Sequence, residues 1–207
     1  MNLKPEELEE NGYILLDEMN HKEIMPFVKK FLYKRTWFSS LYNLSIIISF
    51  FVLLFFCIKF DRSGIDTFDN ILIQIVFGFL LTLALVPVHE LIHALAYKLL
   101  GAKKTSFDAN LKRFYFLAIA DQFVTSKQEF KIVALAPFLV ISLALLIASF
   151  LVNDGWKVTI FTTLTIHSFA CSGDFALLSY FEYNRKKEVV TYDDKENKVS
   201  FFYGKSK

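Results

Sequence analysis

The run NILIQIVFGFLLTLALVPVHELIHALAYKLL (residues 70–100) decides how this 207-residue chain is to be read. It carries no Asp, Glu, Lys or Arg from Asn70 to Val88, then places HELIH at 89–93. A helix of roughly 20 apolar residues crosses a hydrocarbon core of about 30 Å, so the run predicts a transmembrane helix that ends in a chemical motif. Residues four apart share one helix face, so His89 and His93 can present both imidazoles to a single metal ion. Glu90, a short angular step away, is placed to hold an attacking water rather than the ion. In zinc peptidases of this pattern the glutamate takes the proton of that water while the ion acts as Lewis acid. Imidazole and carboxylate groups are costly inside a membrane helix, which makes them functional candidates by default.

Outward from this run, three more stretches lack charge: Thr36 to Ile58, Ile132 to Asn153, and Val158 to Phe181, the last interrupted only by Asp174. Four spans are therefore expected. The rest of the composition agrees, with 54% hydrophobic residues, 24 Phe and only 21% charged residues. Such long apolar runs exclude a disordered, fibrous or ordinary soluble chain. A net charge of +2 gives no sign of a nucleic-acid partner, and two cysteines, Cys57 and Cys171, exclude a disulfide framework or a Cys-type zinc cluster. About 35 residues precede the first span and no small-residue cleavage site follows it, so it reads as a retained helix rather than a signal peptide.

Basic residues set the orientation. Lys29, Lys30, Lys34 and Arg35 precede the first span; Lys98, Lys103, Lys104, Lys112, Arg113, Lys127 and Lys131 fall in the middle loop; Arg185, Lys186 and Lys187 follow the fourth. The other two loops hold only Lys59, Arg62 and Lys157. By the positive-inside rule both termini and the middle loop face the cytoplasm. The expected divisions are a cytoplasmic N-terminal segment over 1–35, a four-span membrane domain over 36–182, and a cytoplasmic tail over 183–207. Within 1–35, residues 21–34 set Ile24, Phe27, Val28 and Phe31 at helical spacing opposite lysines, a pattern for a helix on the membrane surface with Pro26 in its first turn. Phe114 to Ala120 reads as one or two strands bounded by the turn-like Asp108-Ala109-Asn110, and the β-prone runs around Asp193-Asp194-Lys195-Glu196-Asn197 read as a C-terminal hairpin. The fold class is thus an all-α membrane protein with a small β element in the cytoplasmic loop and a terminal β-hairpin.

A catalytic zinc usually has three protein ligands, so a third must come from outside the motif. Asp174, the lone charge of the fourth span, follows Gly173, where helices can approach closely. At 1.5 Å per residue, His93 and His89 lie about 8 and 14 Å above Lys98, and Asp174 about 12 Å above Glu182; the second and fourth spans run in the same direction, so the three meet at one level. Pro137 in the third span reaches a similar level, and Pro87 is expected to kink the second span just before His89. His167, seven residues before Asp174, would lie roughly 10 Å from it along an unbroken helix, too far to share its ion, and reads as a packing residue or a donor behind the ligands. Ser168, Cys171 and Ser172 read as small helix-contact residues.

With these residues in place the chain resembles a known group. PVHELIHALAYKLLGAK, a β-prone stretch, FKIVALAPFLV and HSFACSGDFALL together look like the putative zincin peptidase family of membrane proteins, which is similar to the site-2 protease clan of intramembrane metallopeptidases. The likeness covers about residues 70–182. It implies that His89 and His93 correspond to the zinc-binding histidines, Glu90 to the catalytic base and Asp174 to the aspartate ligand, and that Ala136-Pro137 sits at the clan's small-residue-plus-proline motif. This chain has Gly173-Asp174 where site-2 proteases have Asp-Gly, and Phe138 where they have asparagine.

The expected function is hydrolysis of peptide bonds in membrane protein or peptide substrates by a Zn2+-dependent enzyme embedded in the bilayer near its cytoplasmic face. Two other readings use the same residues: a non-catalytic zinc-binding scaffold, and a four-helix haem protein in which His167 and His89 or His93 are axial ligands.

Overall fold

The local chemistry of the chain sets where its long helices begin and end. A computed structural model, which describes residues 3–61, 67–110 and 115–206, contains six α-helices, six strands and two short 3-10 turns. Arg62, Lys112, Arg113 and Phe114, used above for orientation and for a strand, lie outside the described residues. Helix α2 (Trp37–Asp61) starts behind Thr36, whose Oγ1 accepts from the Ser39 N–H at 3.1 Å while Ser39 Oγ accepts from the Thr36 N–H at 3.0 Å. Helix α4 (Lys127–Leu151) starts with a capping box, in which the Ser126 N–H donates to Glu129 Oε2 at 2.8 Å. Helix α3 (Thr67–Leu99) stays helical through Pro87 and ends in a Schellman turn. There the Ala102 N–H donates to the Tyr97 carbonyl and the Gly101 N–H to that of Lys98, with Gly101 at φ +103°, a conformation glycine adopts without strain.

Three helices are long and apolar enough to cross a membrane: Trp37–Lys59, Asn70–Leu99 and Lys127–Leu151. Their exposed faces are rows of large apolar side chains, among them Phe51, Phe55, Leu80, Leu83, Leu143 and Ile147, which suit a lipid surrounding and not water. The expected fourth span is divided. It forms α5 (Asp154–Ala170) and α6 (Ser172–Tyr183), separated at Cys171, and neither piece reaches the roughly 20 residues a span needs.

The chain separates into two compact units. One, residues 40–89 and 137–172, is helical. At its centre α5 is buried almost all round, and the hydroxyls of Thr163 and Thr165 are satisfied by backbone carbonyls: Thr163 Oγ1 donates to Thr159 and to Gly78, and Thr165 to Phe161. Gly78 of α3 lets α5 close in, since a Cβ there would stand 2.6 Å from Thr162 Cβ and 2.8 Å from the Thr159 carbonyl oxygen.

The other unit, residues 1–39, 90–136 and 173–207, holds all the strands, so the all-α expectation is too narrow. The C-terminal hairpin forms as β5 (Lys187–Asp194) and β6 (Val199–Ser206), but it belongs to a four-stranded antiparallel sheet in the order β1-β6-β5-β4, with β1 at Ile14–Asn20 and β4 at Thr125–Ser126. A separate hairpin pairs β2 (Thr105–Asn110) with β3 (Tyr115–Ala120), which puts Asp108-Ala109-Asn110 in a strand and not in a turn. Helix α1 (Ile24–Leu32) forms at the expected place with Pro26 in its first turn. Its apolar face is covered by protein: Phe27 stacks on Phe202 with ring centroids 5.6 Å apart, and Phe31 meets Tyr180 edge-on at 4.9 Å. Helix α6 takes part in the same core, where Tyr180 donates to Asp17 Oδ2 at 2.8 Å and Phe181 stacks on Phe130. These contacts bury α6 side chains against protein.

Candidate metal centre

Helix α3 carries His89, Glu90 and His93 in its last three turns, so the expected i, i+4 spacing of the two imidazoles holds. His93 is buried, and its two ring nitrogens have different partners. Nδ1 lies 2.9 Å from the carbonyl oxygen of Val133 on α4, an acceptor, so this nitrogen carries the proton and donates it. Nε2 is thereby turned toward Asp174, whose Oδ1 stands 3.2 Å away: an ion pair while Nε2 carries a proton, and a pair of ligand atoms once a cation replaces that proton. Asp174 occupies the first turn of α6, where a carboxylate is favoured by the helix dipole.

That distance is that of an ion pair and is also compatible with two ligands on one ion. Two ligand atoms each about 2.0–2.1 Å from one tetrahedral ion are separated by roughly 3.3 Å. The 3.2 Å between His93 Nε2 and Asp174 Oδ1 is close to that tetrahedral edge. A backbone carbonyl fixing the far nitrogen is also the usual support of a metal-bound histidine. The donor set fits zinc: imidazole nitrogen and carboxylate oxygen, with Glu90 one residue from His89 and its Oε2 shielded from solvent.

His89 has a support of its own. Its Nδ1 lies 3.3 Å from His167 Nε2, and the two rings meet edge to face with centroids 5.5 Å apart. When Nδ1 donates to His167, the Nε2 lone pair of His89 is left for an ion on the α3 face it shares with His93. His167 is thus a buried neighbour of His89, the place expected of a donor behind the ligands. The break at Cys171 is what frees it from the register of Asp174, since α6 no longer continues the α5 helix.

Cys171 also departs from expectation. His89, His167 and Cys171 each offer a ligand atom, and these atoms lie within 4.8 Å of one another; Cys171 Sγ is 3.8 Å from His167 Nε2. Both His167 and Cys171 are buried. The sequence held a trace of this, because His167 and Cys171 are four apart, the same spacing as His89 and His93.

Comparison with known proteins is consistent with this chemistry. No curated protein and no solved structure matches the chain. A family profile matches residues 82–188, slightly more than half of the chain, and includes the HELIH motif, Val133, His167, Cys171 and Asp174. The chain belongs to the Putative zincin peptidase family.

Proposed function

We propose that the protein is a zinc metallopeptidase working within the membrane, with His89, His93 and Asp174 holding the ion and Glu90 as general base. The observation that carries this reading is the 3.2 Å approach of Asp174 Oδ1 to His93 Nε2, with the other nitrogen of that ring committed to Val133. Zinc bound there would supply Lewis acidity for peptide hydrolysis near neutral pH. The protein side chains divide the remaining work. Glu90 takes a proton from the attacking water at its carboxylate and returns it to the leaving amide nitrogen. Val133 and His167 hold the two imidazoles in the tautomer whose Nε2 is free to bind.

The substrates would be membrane proteins or peptides in the bilayer, cut near the cytoplasmic face, since HELIH sits toward the end of α3 that leads into the lysine-bearing loop. A peptide bond must leave its helix to be hydrolysed, and an extended segment can add to a strand edge. The β2–β3 hairpin follows the zinc helix directly and has only two strands. Residues 115–119 are the proposed docking edge.

A second reading rests on the buried trio of His89, His167 and Cys171, a Cys/His ligand set of the kind zinc also accepts. Metal content separates the two. Purified wild type should hold one zinc per chain, Asp174→Ala should lose it, and Cys171→Ser should retain it. The reverse pattern would move the ion to the second trio.

A further inference from the structure

Outside the candidate metal centre, the unit that carries the strands contains a cavity of about 360 Å³ whose wall is dominated by one sign of charge. Four lysines line it from three parts of the chain: Lys98 in the last turn of α3, Lys103 and Lys104 in the turn that follows, and Lys195 in the β5–β6 turn. Among the described residues none of these four ammonium groups forms an ion pair or a hydrogen bond, whereas Lys59, Lys157 and Lys198 are each paired with a carboxylate. One carboxylate, Asp121, is in the wall, and its Oδ1 accepts the backbone N–H of Lys195 at 3.1 Å. The wall carries three more positive charges than negative ones.

Lysine near a helix C-terminus is favoured by the helix dipole alone. That accounts for Lys98 and not for Lys195, which comes from a turn in the sheet. Convergence of unpaired like charges is unfavourable unless something compensates them. The wall also supplies neutral donors. Thr105 and Ser106 of β2 line it, and Ser106 Oγ is shielded from solvent with no hydrogen-bond partner among the described residues. A buried hydroxyl without a partner is costly. An anion with several acceptor oxygens would satisfy it and the lysines together.

We infer that this cavity binds a phosphate group, either that of an anionic lipid headgroup or that of a soluble phosphorylated molecule. The ammonium cluster supplies the charge and Ser106 a directed hydrogen bond. Its position favours a headgroup: Lys98 adjoins Leu99, the end of an apolar candidate span, and Leu95 and Leu99 are exposed as lipid-facing residues are. Lysines beside such a span meet the negative surface of the cytoplasmic leaflet. The volume lies at the small end of ligand pockets, enough for a headgroup and not for acyl chains. Hydrolytic activity is not part of this inference or of its test.

The experiment uses the full-length protein in a neutral detergent and follows its thermal midpoint during titration with dihexanoyl phosphatidic acid, dihexanoyl phosphatidylcholine and inorganic phosphate. Phosphatidic acid should raise the midpoint, and phosphatidylcholine should not. In Lys103→Gln/Lys104→Gln the apparent affinity should fall about tenfold or more, as two charge-assisted contacts are lost, and Ser106→Ala should weaken it less. Tighter binding of phosphatidic acid than of inorganic phosphate identifies a lipid ligand, and equal binding a soluble one. No response to either phosphate, or an equal loss in Arg185→Gln/Lys186→Gln away from the cavity, overturns the inference.

Discussion

His93 Nε2 and Asp174 Oδ1 stand 3.2 Å apart although the two residues are eighty-one positions apart in the chain. Helix α3 brings one and the first turn of α6 the other, and Val133 fixes which nitrogen faces the carboxylate. Under the proposed function, removing Asp174 would take away a ligand and leave the histidine in place. Asp174→Ala should lose zinc, measured by inductively coupled plasma mass spectrometry, while Glu90→Gln keeps it. Cleavage by Glu90→Gln should fall roughly 10²–10⁴-fold, the usual contribution of a general base. Wild-type turnover in Glu90→Gln would end the peptidase mechanism proposed for this residue.

His167 contacts His89, and under the proposed function it acts through that residue. Replacing it by Phe keeps volume and removes the acceptor, so zinc affinity should drop about 10–100-fold, as for other partners behind metal ligands. Competition with a chelator reads this directly. Cys171→Ser should match wild type in the same assay. Zinc loss in Cys171→Ser, with Asp174→Ala unaffected, would instead favour the trio of His89, His167 and Cys171.

Within the helical unit, Gly78→Ala is expected to force α3 away from α5, because its Cβ meets backbone at Thr159 as well as the Thr162 side chain. Overpacking of this kind costs roughly 1–3 kcal/mol. Thermal unfolding in detergent should show a lowered midpoint, and an unchanged one would mean that this contact is looser than its geometry indicates.

Stability should depend on pH through Asp193. Burial, with the nearby charge of Asp121 adding to it and the Ser200 hydrogen bond opposing it, pushes this carboxyl up to about 6. The folded chain then holds the proton more tightly than the unfolded chain, where the group titrates near about 3.9. The stabilisation is complete below about pH 4 and is lost as pH rises through about 6. Asp193→Asn should accordingly be more stable than wild type at pH 7.5, by up to about 3 kcal/mol, with the gap closing toward pH 4. His21 works in the opposite sense: burial lowers its pKa, so stability falls as pH drops below about 6.5. Comparing Asp193→Asn with wild type at each pH isolates the aspartate. A gap of the same size at both pH values would rule out the titration.

Docking of an extended substrate on β3 predicts that either Leu117→Pro or Ala118→Pro abolishes cleavage with zinc content unchanged. Neighbouring N–H groups in a strand point to opposite edges, so one of the two faces away from β2 and is lost without breaking the hairpin ladder. Normal cleavage by both variants would remove the hairpin from substrate binding.

The sequence by itself determined the features that depend on neighbours along the chain. Apolar runs without charge marked the three long helices, HELIH put His89 and His93 on one face of α3, and β-prone runs marked the hairpin of β5 and β6. Only the tertiary structure decided the features that depend on what a residue meets from elsewhere. The apolar face of α1 could equally have met lipid, and its choice of Phe202 and Tyr180 is a matter of packing that periodicity does not encode. The strand β1 is recognisable only once β6 pairs with it. The break at Cys171 follows the same logic: Val158 to Phe181 is apolar enough for one span, but α6 gains a protein core around Tyr180 and Phe181. That division frees His167 to support His89 while Asp174 faces His93.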